Sequence, residues 1–220
     1  MIDCERANNE FKRVFITNIH RKNSGVLFNQ LILGTDFMTA PASSKYHLAE
    51  RGGLCVHSLN VYYKLKKLLD CIDILDPKSS DFEWNERTRE SVAIVALLHD
   101  VCKTNMYTPA YRNVKSYEEE DVKSVEKNRV KHDDLGDYVW KQVPSYNIEE
   151  QFIFGHGEKS VYLIRQFMEL TDEEAQAIRF HMGPWVENDK QMSGKVFATN
   201  RLAWLLHVAD EAATYLDEGE

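Results

Sequence analysis

The sequence predicts an all-α fold, a helical bundle carrying one small inserted β-hairpin, and three observations predict it. Long, predominantly apolar stretches of helix length recur along the chain, as in LCVHSLNVYYKL and VAIVALLHDV. One segment, DYVWKQV, alternates in the manner of a strand. No internal repeat or low-complexity tract is present. At 220 residues and 43% hydrophobic, the chain is long enough for one sizeable core and short for two, so residues 1–220 read as a single domain.

Residues 4–34 read as one or two helices broken near 22–24, where Ser24 can cap the apolar stretch Val26, Leu27, Leu31, Ile32. Residues 1–44 thus form a helical extension ahead of the main bundle. Pro41 with the serines and glycines of 35–53 reads as a loop. Residues 54–69 and 86–103 return as helices, the second ending in the buried-looking run VAIVALLHDV. An insertion over 105–154 holds the hairpin: DYVWKQV follows the turn residues Gly136 and Asp137 and finds its partner in an extended piece around 111–117. Helices resume at 158–170, at 172–181, where Thr171 and Glu174 have capping-box spacing, and at 196–216.

Composition narrows the function. The formal charge of −8 works against spontaneous adhesion to long polyanions, which requires clustered Lys and Arg. A small phosphorylated substrate or a short nucleic-acid end in a locally basic pocket fits better. No apolar stretch reaches the roughly 18 to 20 residues of a membrane span, and the N-terminus carries charges where a signal peptide has an apolar block. A cytoplasmic protein with no membrane partner is the expectation. Cys4, Cys55, Cys71 and Cys102 contain no CxxC pair and read as reduced thiols.

Five elements carry acid–base or ligand chemistry beside apolar helical stretches: His57 in GGLCVHSL, the pair His99–Asp100 in ALLHDVCK, His156 in FGHGEKS, His181 in AIRFHMGP and Asp210 in LLHVADEA. One such histidine alone is ordinarily a satisfied core residue. Five together are not so explained. An ionised Asp following a buried His at the end of VAIVALL is expensive to desolvate unless paired or metal-bound. Coordination is the simplest explanation, because helices packed side by side deliver one donor each to a divalent ion while leaving a position open. His57, His99, Asp100 and Asp210 come from three predicted helices.

An isolated His, then an HD pair followed three residues later by Lys, then a late Asp, resembles the HD superfamily of metal-dependent phosphohydrolases over about residues 45–216. The block YHLAERGGLCVHSL is similar to the opening of HD domains in certain 3′ to 5′ exoribonucleases. The pairing of GHGEKS with a later FHMG resembles hypothetical phage and bacterial hydrolases. The resemblance implies that His57, His99, Asp100 and Asp210 bind a first metal and that Asp100 bridges to a second, which His156 and His181 ligate. It implies one or two divalent ions, Mn, Fe, Mg, Ni or Zn, without choosing among them. The implied activity is hydrolysis of a phosphomonoester or phosphodiester of a nucleotide or oligonucleotide end by metal-activated water. The same ligand set with two irons supports an oxygenase in relatives of this fold, which makes a di-iron oxygenase one alternative, and a non-catalytic nucleotide- or partner-binding module is the other.

Phosphoryl charge needs protein cations as well. Lys103 is the leading catalytic and substrate-binding candidate with Asp100, because HDxxK spacing returns its side chain to the same side of the helix. Lys159 and Ser160 could meet phosphate at the start of a helix, and Arg51 is a further loop cation. His207 reads as packing or support, His47 as pocket rim, His20 and His132 as exposed, Glu158 as a favourable first-turn anion, and Trp185 as a possible base contact.

Overall fold

The computed structural model describes residues 2–71, 85–150, 153–186 and 190–218. Seven helices carry the architecture: α1 (Cys4–Asn18), α2 (Gly53–Asp70), α3 (Glu86–Leu98), α4 (His156–Arg165), α5 (Asp172–Arg179), α6 (Lys190–Thr199) and α7 (Arg201–Ala212). One-turn segments join them, including a π-helical turn over Ala213–Asp217 that prolongs α7. The sequence accounts for their ends. Asp3 accepts the Arg6 amide at 3.0 Å and starts α1, Asn85 accepts the Thr88 amide and starts α3, and Thr171 and Glu174 form the reciprocal capping box of α5.

The second half of α3 is apolar on every side, with Val92 to Leu98 almost wholly buried, so it occupies the centre of the bundle. Helix α2 packs against α3 and α7, while α5 packs against α7, α3 and α4. Phe11 and Phe15 of α1 join Leu54 and Leu65 of α2, Ile94 and Leu97 of α3, and Leu205 of α7 in one continuous core. Gly53 is demanded where α2 begins. A Cβ there would lie 2.1 Å from the Leu48 carbonyl oxygen, so only glycine lets the helix start against the preceding loop.

The all-α expectation is corrected by the insertion. Tyr107–Ser116 (β1), Lys131–Asp133 (β2) and Gly136–Ile148 (β3) form a three-stranded antiparallel sheet in the order β1-β3-β2. Strands β1 and β3 pair from Tyr107↔Ile148 to Ser116↔Val139, so this is a full sheet and not a small hairpin. Only DYVWKQV alternates clearly, and Pro144 within β3 argues against a long strand. The topology removes that objection. Strand β2 pairs only with Gly136 to Tyr138, leaving Pro144 on a stretch with a free edge, where a missing N–H costs no ladder bond.

Two helix expectations are also revised. The helix over 86–103 stops at Leu98, and the chain turns through Val101–Lys103 as a 3₁₀ segment. The helix over 196–216 gives way to α6 and α7, because Asn200 accepts the Ala203 amide at 3.1 Å and caps a new helix. Among the described residues no helix is long and apolar enough to cross a membrane.

Arg21 ties the N-terminal extension to the bundle. It donates to Glu174, which is wholly buried, and to Glu90 at 3.1 Å, while Ser91 also donates to Glu174 at 2.6 Å. Burial alone would raise the Glu174 carboxyl, but Arg21, Ser91 and the Thr171 amide hold it below the usual value of 4.5. Its stabilising effect is therefore present above that value and lost as pH falls through the lower folded-state value. Glu174→Ala, which leaves the Arg21 guanidinium only Glu90 and the Glu169 carbonyl, is expected to cost about 2 kcal/mol in urea unfolding at pH 7. The deficit should shrink towards acid pH, and a pH-independent deficit would contradict the ionic origin.

Candidate metal centre

Five elements converge on one buried point. His57 lies in the second turn of α2, His99 and Asp100 in the turn that closes α3, His156 at the first residue of α4, His181 just after α5, and Asp210 in α7. Asp100 has left the helix, with φ −109° and ψ 16°, which separates its side chain from that of His99. Gly157 brings α4 against the end of α5. A Cβ there would meet the Arg179 carbonyl oxygen at 2.4 Å and that of Ile178 at 2.5 Å, so glycine permits the approach that sets the His156 ring 5.3 Å from the His181 ring.

The two Asp100 oxygens divide the cluster. Oδ2 lies 3.6 Å from His57 Nε2 and 3.5 Å from His99 Nε2, and Asp210 Oδ1 lies 3.1 Å and 3.9 Å from the same two nitrogens. Oδ1 lies 2.7 Å from His156 Nε2 and 3.5 Å from His181 Nε2. One group is therefore His57, His99, Asp210 and one Asp100 oxygen. The other is His156, His181 and the second Asp100 oxygen, with Cys102 Sγ 3.4 Å from His156 Nδ1. His57, His99, Asp100 and His181 are all at most 2% exposed.

The outer nitrogens decide what the inner ones can do. His99 Nδ1 donates to the Ala96 carbonyl at 2.9 Å and His181 Nδ1 to the Ile178 carbonyl at 2.7 Å. His57 Nδ1 donates to the Glu218 carboxylate at 3.0 Å. A neutral imidazole that donates through Nδ1 presents a lone pair at Nε2. His57 Nε2 and His99 Nε2 nonetheless face each other at 3.3 Å, a contact that favours a cation between them and carboxylates around them. The donor set, nitrogen and oxygen with His57, His99 and His181 oriented from behind, fits a divalent metal ion.

Proton affinities follow the same geometry. Burial pushes His57 down, yet Asp210 and Glu218 outweigh it and raise the ring to about 9. Burial outweighs the Asp100 charge at His99 and lowers it to about 4. His156 is raised to about 10 against its burial, by Cys102 and Asp100. Burial would raise Asp100, but Lys103, His99 and His156 hold it well below the usual carboxylate range. Without an ion, protons on His57 and His156 supply the positive charge that these carboxylates require.

Of the predicted phosphate-binding residues, Lys103 lies at the cluster, its Nζ 2.6 Å from Asp100 Oδ2. Lys159 is buried and ion-paired with Glu150, and the Ser160 hydroxyl accepts the Cys102 amide at 3.2 Å. Arg51 is exposed, and its carbonyl accepts from the Cys4 thiol. Glu158 accepts the Gly155 amide at the start of α4 and pairs with Arg179 at 2.6 Å. His207 donates to the His181 carbonyl at 2.7 Å and stacks on Phe197. His20 and His132 are exposed.

Glu218 is the residue that sequence reasoning missed. It is buried, accepts from His57, from His47 at 2.6 Å and from Asn60 at 2.9 Å, and is held near 2 against its burial by these partners. The π-helical turn after α7 delivers it, its amide donating to the Ala213 carbonyl. Cys102 was likewise read only as a reduced thiol.

A cavity of about 1130 Å³ opens over the cluster. His57, Asp100, Lys103 and Asp210 reach its floor, His47 and Trp185 its sides, and Arg112, Val143 and Pro144 of the sheet form one wall. Lys159, Ser160 and Arg51 do not line it. No family model matches the chain, and neither a curated protein nor a solved structure matches it.

Two outcomes are expected. Metal ligands must be deprotonated to bind, so uptake of Mn²⁺ or Zn²⁺ at pH 7.5 should release protons from His57 and His156, seen as a calorimetric heat that varies with buffer ionisation enthalpy. A buffer-independent heat would contradict this. Glu218→Gln should weaken metal affinity by about 10- to 100-fold through loss of the His57 support, whereas unchanged affinity would remove Glu218 from the site.

Proposed function

We propose that the chain is an HD-type metal-dependent hydrolase of phosphoric esters, acting on a phosphomonoester or phosphodiester of a nucleotide or a short nucleic-acid end. The carrying observation is the division of Asp100, one oxygen facing His57 and His99, the other facing His156 and His181. His57, His99, Asp100 and Asp210 would hold one ion, and Asp100, His156 and His181 a second. Such ions, when bound, supply Lewis acidity, acidifying water from 15.7 towards about 7 and neutralising phosphoryl oxygens. The order of these residues in the sequence, with Lys103 three residues after Asp100, adds the resemblance to HD enzymes.

The protein's own side chains perform the rest. Asp100 orients both histidine groups and, through its paired oxygens, fixes their separation. Lys103 is 13% exposed at its side chain, lies between Asp100 and the open cavity, and keeps its proton because Asp100 raises its affinity against burial. It is positioned to meet a phosphoryl oxygen as a permanent cation. Glu218 and the Ala96 and Ile178 carbonyls hold the histidine tautomers, so the donor atoms are set before substrate arrives.

The test is turnover of p-nitrophenyl phosphate and bis-p-nitrophenyl phosphate with Mn²⁺, Fe²⁺, Mg²⁺, Ni²⁺ and Zn²⁺ in turn. Hydrolysis should be lost in Asp100→Ala and reduced on the order of 100-fold in Lys103→Ala, with helical content checked by circular dichroism. Failure of every ion to support hydrolysis, or oxygen consumption by iron-loaded protein without phosphate release, would refute the hydrolase reading.

A further inference from the structure

The cavity over the cluster has a buried floor and an outer wall built by the inserted sheet. Arg112 projects from that wall on β1, opposite Val143 of β3. Among the described residues its guanidinium makes no hydrogen bond or ion pair, unlike Lys103, which Asp100 already holds. Lys45 lines the same cavity from the loop after α1 and has no carboxylate partner there, only the Tyr46 ring at 5.1 Å. The Tyr146 amide donates to the Ser44 carbonyl at 3.0 Å, so the loop bearing Lys45 and the strand beside Arg112 are tied together. Arg112 and Lys45 line the cavity without a carboxylate partner among the described residues, whereas Asp100, Asp210, Asp217 and Glu218 of the same lining are already held by Lys103, His57 and Lys64.

The mouth adds a second chemistry. Tyr46, Trp185 and Tyr215 line the cavity while remaining 73%, 69% and 71% exposed. Flat rings held in water at the entrance of an anion-binding cavity suit a nucleobase, which stacks without regard to its edge. Arg112 and Lys103 line the same cavity from different elements, so a ligand carrying two separate anions can meet both. The net charge of −8 and a cavity lining whose only Lys and Arg are Lys45, Lys103 and Arg112 argue against a long strand.

We propose that Arg112, with Lys45 in the same cavity, forms a second anion site that selects substrates bearing a further phosphate besides the scissile one. Short oligonucleotide ends and nucleoside 3′,5′-bisphosphates share that chemistry. The inference rests on the hydrolase reading in that the scissile phosphate is assigned to the His/Asp cluster. Arg112 is a specificity-determining residue and takes no part in bond cleavage.

The test compares kcat/KM of the full chain and Arg112→Ala on p-nitrophenyl phosphate, adenosine 3′,5′-bisphosphate and a 5′-phosphorylated diadenylate. Loss of one charge-assisted contact should lower kcat/KM on a two-phosphate substrate about 10- to 100-fold more than on p-nitrophenyl phosphate. Arg112→Lys should recover part of it, and Lys131→Ala, on the exposed β2 strand outside the cavity, should leave the ratio unchanged. The more affected two-phosphate substrate identifies the natural source of the second anion. Equal losses on all substrates, or none, would overturn the proposal. Equilibrium binding of adenosine 3′,5′-bisphosphate, weakened about tenfold in Arg112→Ala, reports the site without turnover. Absent hydrolysis with Arg112-dependent binding therefore sinks only the hydrolase reading, while binding indifferent to Arg112 sinks the second anion site.

Discussion

A carboxylate with 2% of its surface exposed cannot stay ionised in a helical bundle unless positive charge reaches it, and Asp100 is such a carboxylate. The effective penalty for burying an unpaired ion is several kcal/mol, a large share of the total stability of a domain. Four histidines, Lys103 and a second buried acid, Asp210, surround it. Lys103 alone cannot balance Asp100, Asp210 and Glu218, so the cluster needs further cations, whether protons on His57 and His156 or metal ions. The packing of α2, α3, α4, α5 and α7 around this point follows from the same requirement, since each brings at least one of the donors.

The rear of three of the four histidines is as specified as the front. Backbone carbonyls of α3 and α5 take the Nδ1 protons of His99 and His181, and Glu218 takes that of His57. Orientation therefore comes from helix ends, where carbonyls have no intrahelical partner, and from a π-helical turn that shifts Glu218 into reach. The inserted sheet lies outside this arrangement and contributes no donor to it. Its part is to wall the cavity and to bring Arg112 to the opening, which separates the chemistry of the floor from the choice of what enters.

Much of the cluster was legible in the sequence, for a physical reason. His57, His99, Asp100 and Asp210 interrupt apolar helical runs, and a polar group in such a run demands a partner. His156 and His181 were legible through their place between the HD pair and the late Asp, the order on which the resemblance to two-metal HD enzymes rests. Glu218 was not legible, because it follows the last periodic residue and reaches the site only through a turn geometry that sequence does not announce. Arg112 was hidden for a different reason. Which face of a strand meets a cavity depends on register with its partner, and the register of β1 and β3 runs past Pro144, a residue that argues against a strand when read alone. The all-α expectation failed at the same place, while the boundaries of α3 and α7 moved because a turn at His99–Asp100 and a cap at Asn200 overrode continuous apolar pattern.

X-ray absorption at the metal edge of Zn²⁺-loaded protein tests the central claim most directly, because imidazole rings leave a multiple-scattering signature that carboxylates and water do not. A mixed nitrogen and oxygen shell with several imidazoles per ion, diminished in His57→Ala and again in His181→Ala, is the predicted result. An oxygen-only shell, or a spectrum that neither substitution alters, would place the ion elsewhere and leave the buried cluster to protons alone.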